Sequence, residues 1–191
     1  YIMDLEAIEK LPTAGKEKTA AGNYFVANYP PFSFWNTDDI IQVHQILNSE
    51  ARADIPLGIY YHIPFCRKRC HFCYFRVYTD KNAAQIARYL DATLNELNAY
   101  AQKPYLRSRK PKFIYFGGGT PSYLSAKQLT SLTDRMKAIT PWDEVEEVTF
   151  ECEPGTLSEK KLEVINKLGT TRLSLGIENF SDHILEINGR A

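Results

Sequence analysis

Three of the chain's four cysteines, Cys66, Cys70 and Cys73, fall within eight positions in the stretch YYHIPFCRKRCHFCYF. Thiols crowded in this way either bind something together or share one stripe of a helix as small buried residues. The helical reading sets the outer two roughly 10.5 Å apart along the axis, too far for one compact metal centre. Pro64 and the charged RKR suit a loop leaving a strand, where α/β proteins build their sites. If the cysteines are ligands, the segment must curl into that loop. A structural zinc ion needs four protein ligands, so it would call on His62, His71 or Cys152 as well. Three thiolates without an evident fourth suit a [4Fe-4S] cluster with one iron open to an exogenous ligand.

The elements that position such a loop repeat from residue 57 onward. Strand LGIYYHI leads to a helix over about 80–103 with Ile86, Leu90, Leu94 and Leu97 on one stripe, then strand KFIYF. A second helix, capped by Ser125, carries Leu129, Leu132, Met136 and Ile139 and precedes strand EVTFEC. A third starts near Ser158, carries Leu162, Ile165 and Leu168, and stops at Gly169, which suits a left-handed cap. Strand TRLSLGIE and a helix opening at Ser181 complete the run. Strands alternating with helices predict a parallel sheet with right-handed crossovers.

Side-chain alternation along the strands tells barrel from open sheet. Leu173, Leu175 and Ile177 fall on one face of the fourth strand, with Arg172, Ser174, Gly176 and Glu178 on the other. Glu151 and Glu153 share a face of the third while Cys152 points away. Apolar side chains toward helices and polar ones toward an interior predict an α/β fold, a partial (β/α) barrel of about four βα units holding a polar ligand. Tyr1 at the start and Ala191 after ILEINGR, with no helix stop, are read as the ends of a fragment. Residues 1–56 read as an arm with one short helix, and 57–191 as an incomplete core domain. The arm's NYFVANYPPFSFW stretch is a candidate cover, and its helix is expected to be capped by Thr37, with Ile40, Ile41, Val43, Ile46 and Leu47 as its apolar stripe.

Composition excludes several classes. Lysine plus arginine number 23 and aspartate plus glutamate 23 in 191 residues, so no global field favours nucleic acid or an anionic membrane. No apolar run spans a bilayer, and three clustered cysteines with one distant do not make a secreted disulfide framework. A reducing cytoplasm is the expected location. The basic RSRKPK run at 107–112 lacks interleaved aromatics and reads as a solvated loop rather than an RNA contact.

The C-x3-C-x2-C spacing after a first strand resembles the radical S-adenosylmethionine superfamily. Together YYHIPFC, FGGGTPS, ECEP and RLSLGIENF followed by INGR resemble its oxygen-independent coproporphyrinogen III oxidase subfamily, from about residue 57 to Arg190. That subfamily holds a decarboxylating oxidase of porphyrin biosynthesis, a haem chaperone and methyl-transferring relatives.

The resemblance implies an enzyme, a radical oxidoreductase or methyltransferase. Cys66, Cys70 and Cys73 would hold the [4Fe-4S] cluster, and S-adenosyl-L-methionine would chelate its open iron. Reductive cleavage would then give a 5'-deoxyadenosyl radical. By the same resemblance Tyr60, Gly118 and Glu151 contact this first S-adenosylmethionine. Phe72, Gly119, Thr120, Glu178 and Arg190 would line a second. Implied partners are a small-molecule substrate and an electron donor such as flavodoxin or ferredoxin, with neither nucleic acid nor membrane. No catalytic side chain is assigned. His62 could relay protons or serve as a hydrogen-bonded structural histidine, and Glu153 could bind ligand or sit solvated in the barrel.

The pattern departs from the decarboxylating oxidase twice. Phe75 stands where that oxidase commonly has a further cysteine, and Glu178 where it has glutamine. The radical chemistry is thus better supported than a porphyrin substrate; the methyl-transferring branch or a close relative is the first expectation, with a haem chaperone of the same subfamily or the decarboxylating oxidase as the alternatives.

Overall fold

A computed structural model of the chain describes residues 34, 36–73 and 75–190. The cover expected before residue 34 lies outside the described residues. The described residues divide into two units between Ile41 and Gln42.

The first helix, α1 (Asp39–Leu47), buries none of its residues. Of its expected apolar stripe Ile40, Ile41, Val43 and Ile46 are exposed, Ile41 at 61%, and Leu47 is half-buried. Its start also differs from expectation. Asn36 Oδ1, not Thr37, accepts the Asp38 N–H at 2.8 Å, and Asp39 Oδ2 accepts the Asn36 N–H at 3.0 Å. The Asn36 amide reaches forward and the Asp39 carboxylate reaches back, each satisfying a backbone donor just before the first turn.

The second unit holds four parallel strands, β1 (Leu57–Ile63), β2 (Pro111–Gly118), β3 (Glu147–Cys152) and β4 (Arg172–Leu175), in the order 1-2-3-4. Three helices connect them: α2 (Ala83–Ala101), α3 (Ala126–Ile139) and α4 (Glu159–Lys167). The short α5 (Asp182–Ile187) follows β4. Helix starts are set by side chains. Asn82 with Gln85, and Ser125 with Gln128, form reciprocal capping boxes, and Ser158 accepts the Lys161 N–H. Asn82 starts α2 three residues later than the hydrophobic pattern alone suggests. Gly169 ends α4 at φ +96°, a conformation glycine adopts without cost.

Alternation sends Tyr61 and Ile63, Ile114 and Phe116, and Val148, Phe150 and Cys152 into one core with Leu90 and Leu94 of α2, Leu132 and Met136 of α3 and Ile165 of α4. Phe116 lies at its centre, fully buried, with its ring 5.2 Å from Phe150 and 5.8 Å from Tyr61. The opposite face carries Tyr60, His62, Tyr115, Thr149, Glu151 and Arg172. In β4 the register pairs Leu173 with Phe150 and Leu175 with Cys152. These leucines thus sit on the helix side as expected. They nevertheless remain 43% and 41% exposed, because the described helices do not reach over this strand.

The basic run is not a free loop. Pro111 and Lys112 open β2, Arg109 donates to the Ile55 carbonyl, and Lys110 and Lys112 pair with Asp143, Glu144 and Glu146.

Candidate functional site at the carboxyl ends of the strands

The segment after β1 curls as the ligand reading requires. The Tyr78 N–H donates to the Pro64 carbonyl at 2.8 Å and the Cys66 N–H to Tyr78 at 3.1 Å, closing residues 66–77 into a loop on a Phe65–Tyr78 bridge. Within it the Cys73 N–H donates to the Cys70 carbonyl at 3.1 Å, and Arg69 caps the Cys73 carbonyl. A helical stripe of cysteines is excluded. Cys66 is buried, whereas Cys70 and Cys73 are half-buried.

The glycine segment after β2 is laid against this loop by its backbone. Gly119 N–H donates to Ile63 at 2.8 Å and Thr120 N–H to Phe65 at 2.9 Å, prolonging the parallel pairing beyond the strands. A β-carbon on Gly119 would meet Cys66 Sγ at 2.9 Å and the Phe65 carbonyl oxygen at 3.0 Å, so glycine allows this approach without displacing its neighbours. Gly118 has φ +117°. From the next strand, Glu151 accepts the Gly118 N–H at 3.2 Å and the Tyr115 hydroxyl at 2.6 Å. That bond is the main reason the Tyr115 phenol is pushed up to about 12.

These pieces surround one cleft of about 270 Å³. All the predicted site residues line it except Tyr60: the three cysteines, Phe72, Gly118, Gly119, Thr120, Glu151, Glu178 and Arg190. Tyr60 stands on the same sheet face one strand away. Its ring stacks on Tyr115 at 5.8 Å and its hydroxyl meets His62 Nδ1 at 3.0 Å. Burial, reinforced by the Glu151 charge, raises the Tyr60 pKa, and burial lowers that of His62 against the pull of the same carboxylate. Glu178 takes a left-handed backbone at φ 68°, unusual for a side chain of its size at the rim of a cleft. Arg190 donates to the Gly176 carbonyl and, at 3.5 Å, to Cys70 Sγ.

The candidates for a fourth metal ligand each have partners of their own, and none forms a group with two of the cysteines. His71 Nδ1 meets the Ile187 carbonyl at 2.9 Å, and His62 meets Tyr60. Cys152 is buried in the core, where desolvation pushes its thiol up to about 11. Among the described residues no three His, Cys, Asp or Glu side chains are close enough to share one ion. A cluster asks for less, since it holds each cysteine on a different iron.

Residues 60–191 match the Radical SAM superfamily. The chain belongs to that superfamily.

Among curated relatives, this Radical SAM chain is 36% identical over 138 residues to the heme chaperone HemW of Escherichia coli K12, covering 71% of this chain and 35% of that protein. It is 32% identical over 136 residues to an oxygen-independent coproporphyrinogen III oxidase of Cereibacter sphaeroides, covering 71% and 30%. It therefore spans about a third of the length of the curated relatives it matches. Its fold is similar to the solved coproporphyrinogen III oxidase HemN of E. coli, with a TM-score of 0.72, 24% identity, and coverage of 98% of this chain and 39% of that one. The superfamily implies S-adenosylmethionine and a [4Fe-4S] cluster. The donor set fits both: three thiols on one concave loop, and beside them a carboxylate, a guanidinium and a strand end without β-carbons.

Two contributors escape sequence reasoning. Tyr115 orients Glu151, and period-two alternation does put it on the polar face of β2, although nothing local names its partner. Lys161 Nζ donates to the Ser122 and Thr156 carbonyls at 2.6 and 2.7 Å, tying together the turns that follow β2 and β3. Ser122 Oγ in turn accepts the Glu153 N–H at 3.0 Å, so Glu153 is held through its backbone at the cleft. In SEKKLEVINK nothing distinguishes Lys161 from Lys160.

Proposed function

We propose that this chain forms the core of an enzyme that cleaves S-adenosylmethionine reductively at a [4Fe-4S] cluster held by Cys66, Cys70 and Cys73. The resulting radical acts on a small organic substrate, with methyl transfer as the reaction branch. The observation that carries the reading is the single cleft gathering the cysteine loop, the glycine strand end, Glu151, Glu178 and Arg190.

When bound, the cluster would supply the one-electron reduction of the sulfonium that cleaves it to methionine and a 5'-deoxyadenosyl radical. The chain's residues bind and orient. Gly118 and Glu151 receive the amino group of the ligand, and Tyr60 flanks it from β1. Phe72, Gly119, Thr120, Glu178 and Arg190 form a second S-adenosylmethionine site, which would provide the methyl group. Residues 57–191 constitute this core domain, and its oxygen-sensitive thiolates call for a reducing compartment such as the cytoplasm. The exposed Arg67, Lys68 and Arg69 of the cysteine loop offer positive charge to an acidic one-electron donor of the flavodoxin or ferredoxin kind.

Anaerobic reconstitution followed by incubation with S-adenosylmethionine and dithionite tests the reading. The expected result is close to four iron atoms per chain and 5'-deoxyadenosine that depends on reductant. Folded protein yielding neither overturns it, and product masses separate methyl transfer from decarboxylation.

A second reading, a haem carrier, is favoured by the likeness to the heme chaperone HemW and by Phe75 in place of a further cysteine. A stoichiometric absorbance change on haem titration supports it. A flat titration rules it out.

A further inference from the structure

Two side chains at the cleft aim hydrogen-bond donors at cysteine sulfurs. The Thr120 hydroxyl donates to Cys66 Sγ at 3.3 Å, with both residues buried at 7% and 8% exposure. Arg190 Nη1 donates to Cys70 Sγ at 3.5 Å while Nη2 is anchored on the Gly176 carbonyl. Neither donor is placed by chance rotation of a free side chain. The backbone of Thr120 is fixed by its bond to Phe65 at 2.9 Å, and that of Arg190 by its bond to Leu185 at 2.8 Å. Cys73 lies in different surroundings, with its sulfur 4.0 Å from the Phe75 carbonyl oxygen. The sulfurs of the three cysteines are thus unequally supported.

A sulfur bound to iron is an acceptor, and its electron density grows when the iron it serves is reduced. Donors directed at it stabilise the reduced state more than the oxidised one and raise the reduction potential. A buried hydroxyl acts strongly because no water competes with it. A guanidinium adds its positive charge to the same effect.

We propose that Thr120 and Arg190 set the reduction potential of the cluster by donating hydrogen bonds to the sulfurs of Cys66 and Cys70. This rests on the reading of those cysteines as cluster ligands. It gives Thr120 and Arg190 a positioning role that operates before any S-adenosylmethionine binds. Both donors stabilise the same charge change, so their effects have the same sign.

The test is an anaerobic redox titration of the reconstituted protein without S-adenosylmethionine, followed by electron paramagnetic resonance of the reduced cluster. Thr120→Val removes the donor with little change of shape and should move the midpoint to a more negative value. Thr120→Ser restores the hydroxyl and should bring the midpoint back, which a purely packing role of Thr120 would not do. Arg190→Met should also shift the midpoint negative. Val and Met variants that titrate at the wild-type midpoint overturn the proposal. Resonance Raman of the wild type in D2O reads the same bonds without any substitution. Iron–thiolate stretching bands that move on exchange support the proposal, and bands that stay fixed overturn it. A folded wild type that assembles no cluster overturns this inference together with the reading beneath it. A cluster that forms with unchanged variant potentials overturns the inference alone.

Discussion

The Tyr115 hydroxyl donates to one oxygen of Glu151 at 2.6 Å while the other oxygen accepts the Gly118 N–H at 3.2 Å. The carboxylate is therefore oriented from both sides before any ligand arrives. Removing the phenol oxygen in Tyr115→Phe deletes one hydrogen bond to a charged group, with a net cost of about 1 kcal/mol at this half-exposed position. Affinity of the reconstituted protein for S-adenosylmethionine should fall roughly fivefold, as read by equilibrium dialysis. Unchanged affinity would mean that the Gly118 N–H suffices to hold Glu151.

Gly119→Ala crowds the contact between the glycine segment and the cysteine loop. The added carbon meets Cys66 Sγ at 2.9 Å and two backbone oxygens, of Phe65 and Ile63, at 3.0 and 3.1 Å, so the Cys66 side chain must shift and the backbone must give by a few tenths of an ångström. Apo stability should drop by about 1–3 kcal/mol. Iron retained after reconstitution should fall with it. Full iron content in a variant of native stability would contradict the close approach.

Lys161→Met leaves the Ser122 and Thr156 carbonyls without the ammonium that joins them. The urea midpoint should fall by an amount equivalent to about 1–3 kcal/mol, with an unchanged slope. Lys160→Met, one position away and exposed, should stay within about 0.5 kcal/mol of wild type. Equal effects of the two would remove the knot from the account.

Tyr61, Tyr89 and Tyr115 are each pushed up to about 12, the first two chiefly by burial and the third chiefly by the hydrogen bond to Glu151. In the unfolded chain a phenol ionises near 10. Above that pH the unfolded state has released protons that the native state still holds, so stability falls as pH rises. It is intact below about pH 10 and is lost progressively toward 12. Phenolate absorbance of these tyrosines should appear together with loss of far-ultraviolet circular dichroism. Complete tyrosine ionisation near 10 with native dichroism would contradict their protection.

Much of the architecture was legible because it rests on local chemistry. Ser125, Ser158 and Gly169 mark helix ends by their own side chains or lack of one, and alternation in KFIYF and EVTFEC separates core from polar face. Cys66, Cys70 and Cys73 were readable as a loop because Pro64 and the charged RKR suit one, and because a helix would hold the outer two too far apart to share a compact centre. What could not be read depends on distant partners. The apolar pattern of α1 says that the helix is amphipathic, not that its stripe is covered, and Leu173 and Leu175 share that ambiguity. Tyr115 and Lys161 acquire their roles from groups 36 and 39 residues away. No spacing within their own segments announces such partners.

His71 bears on the life of the chain before it is complete. Its ring nitrogen and its backbone N–H hold the carbonyls of Ile187 and Asn188, and a β-carbon on Gly189 would come within 3.0 Å of the ring. The cysteine loop is thus fastened by a segment 116 positions downstream. At a synthesis rate of about 5–20 residues per second, that fastener follows the cysteines by roughly 6–23 seconds. Until that segment is made, the cysteine loop lacks the two carbonyls that hold His71, so its native shape is completed only when α5 and the residues after it are in place.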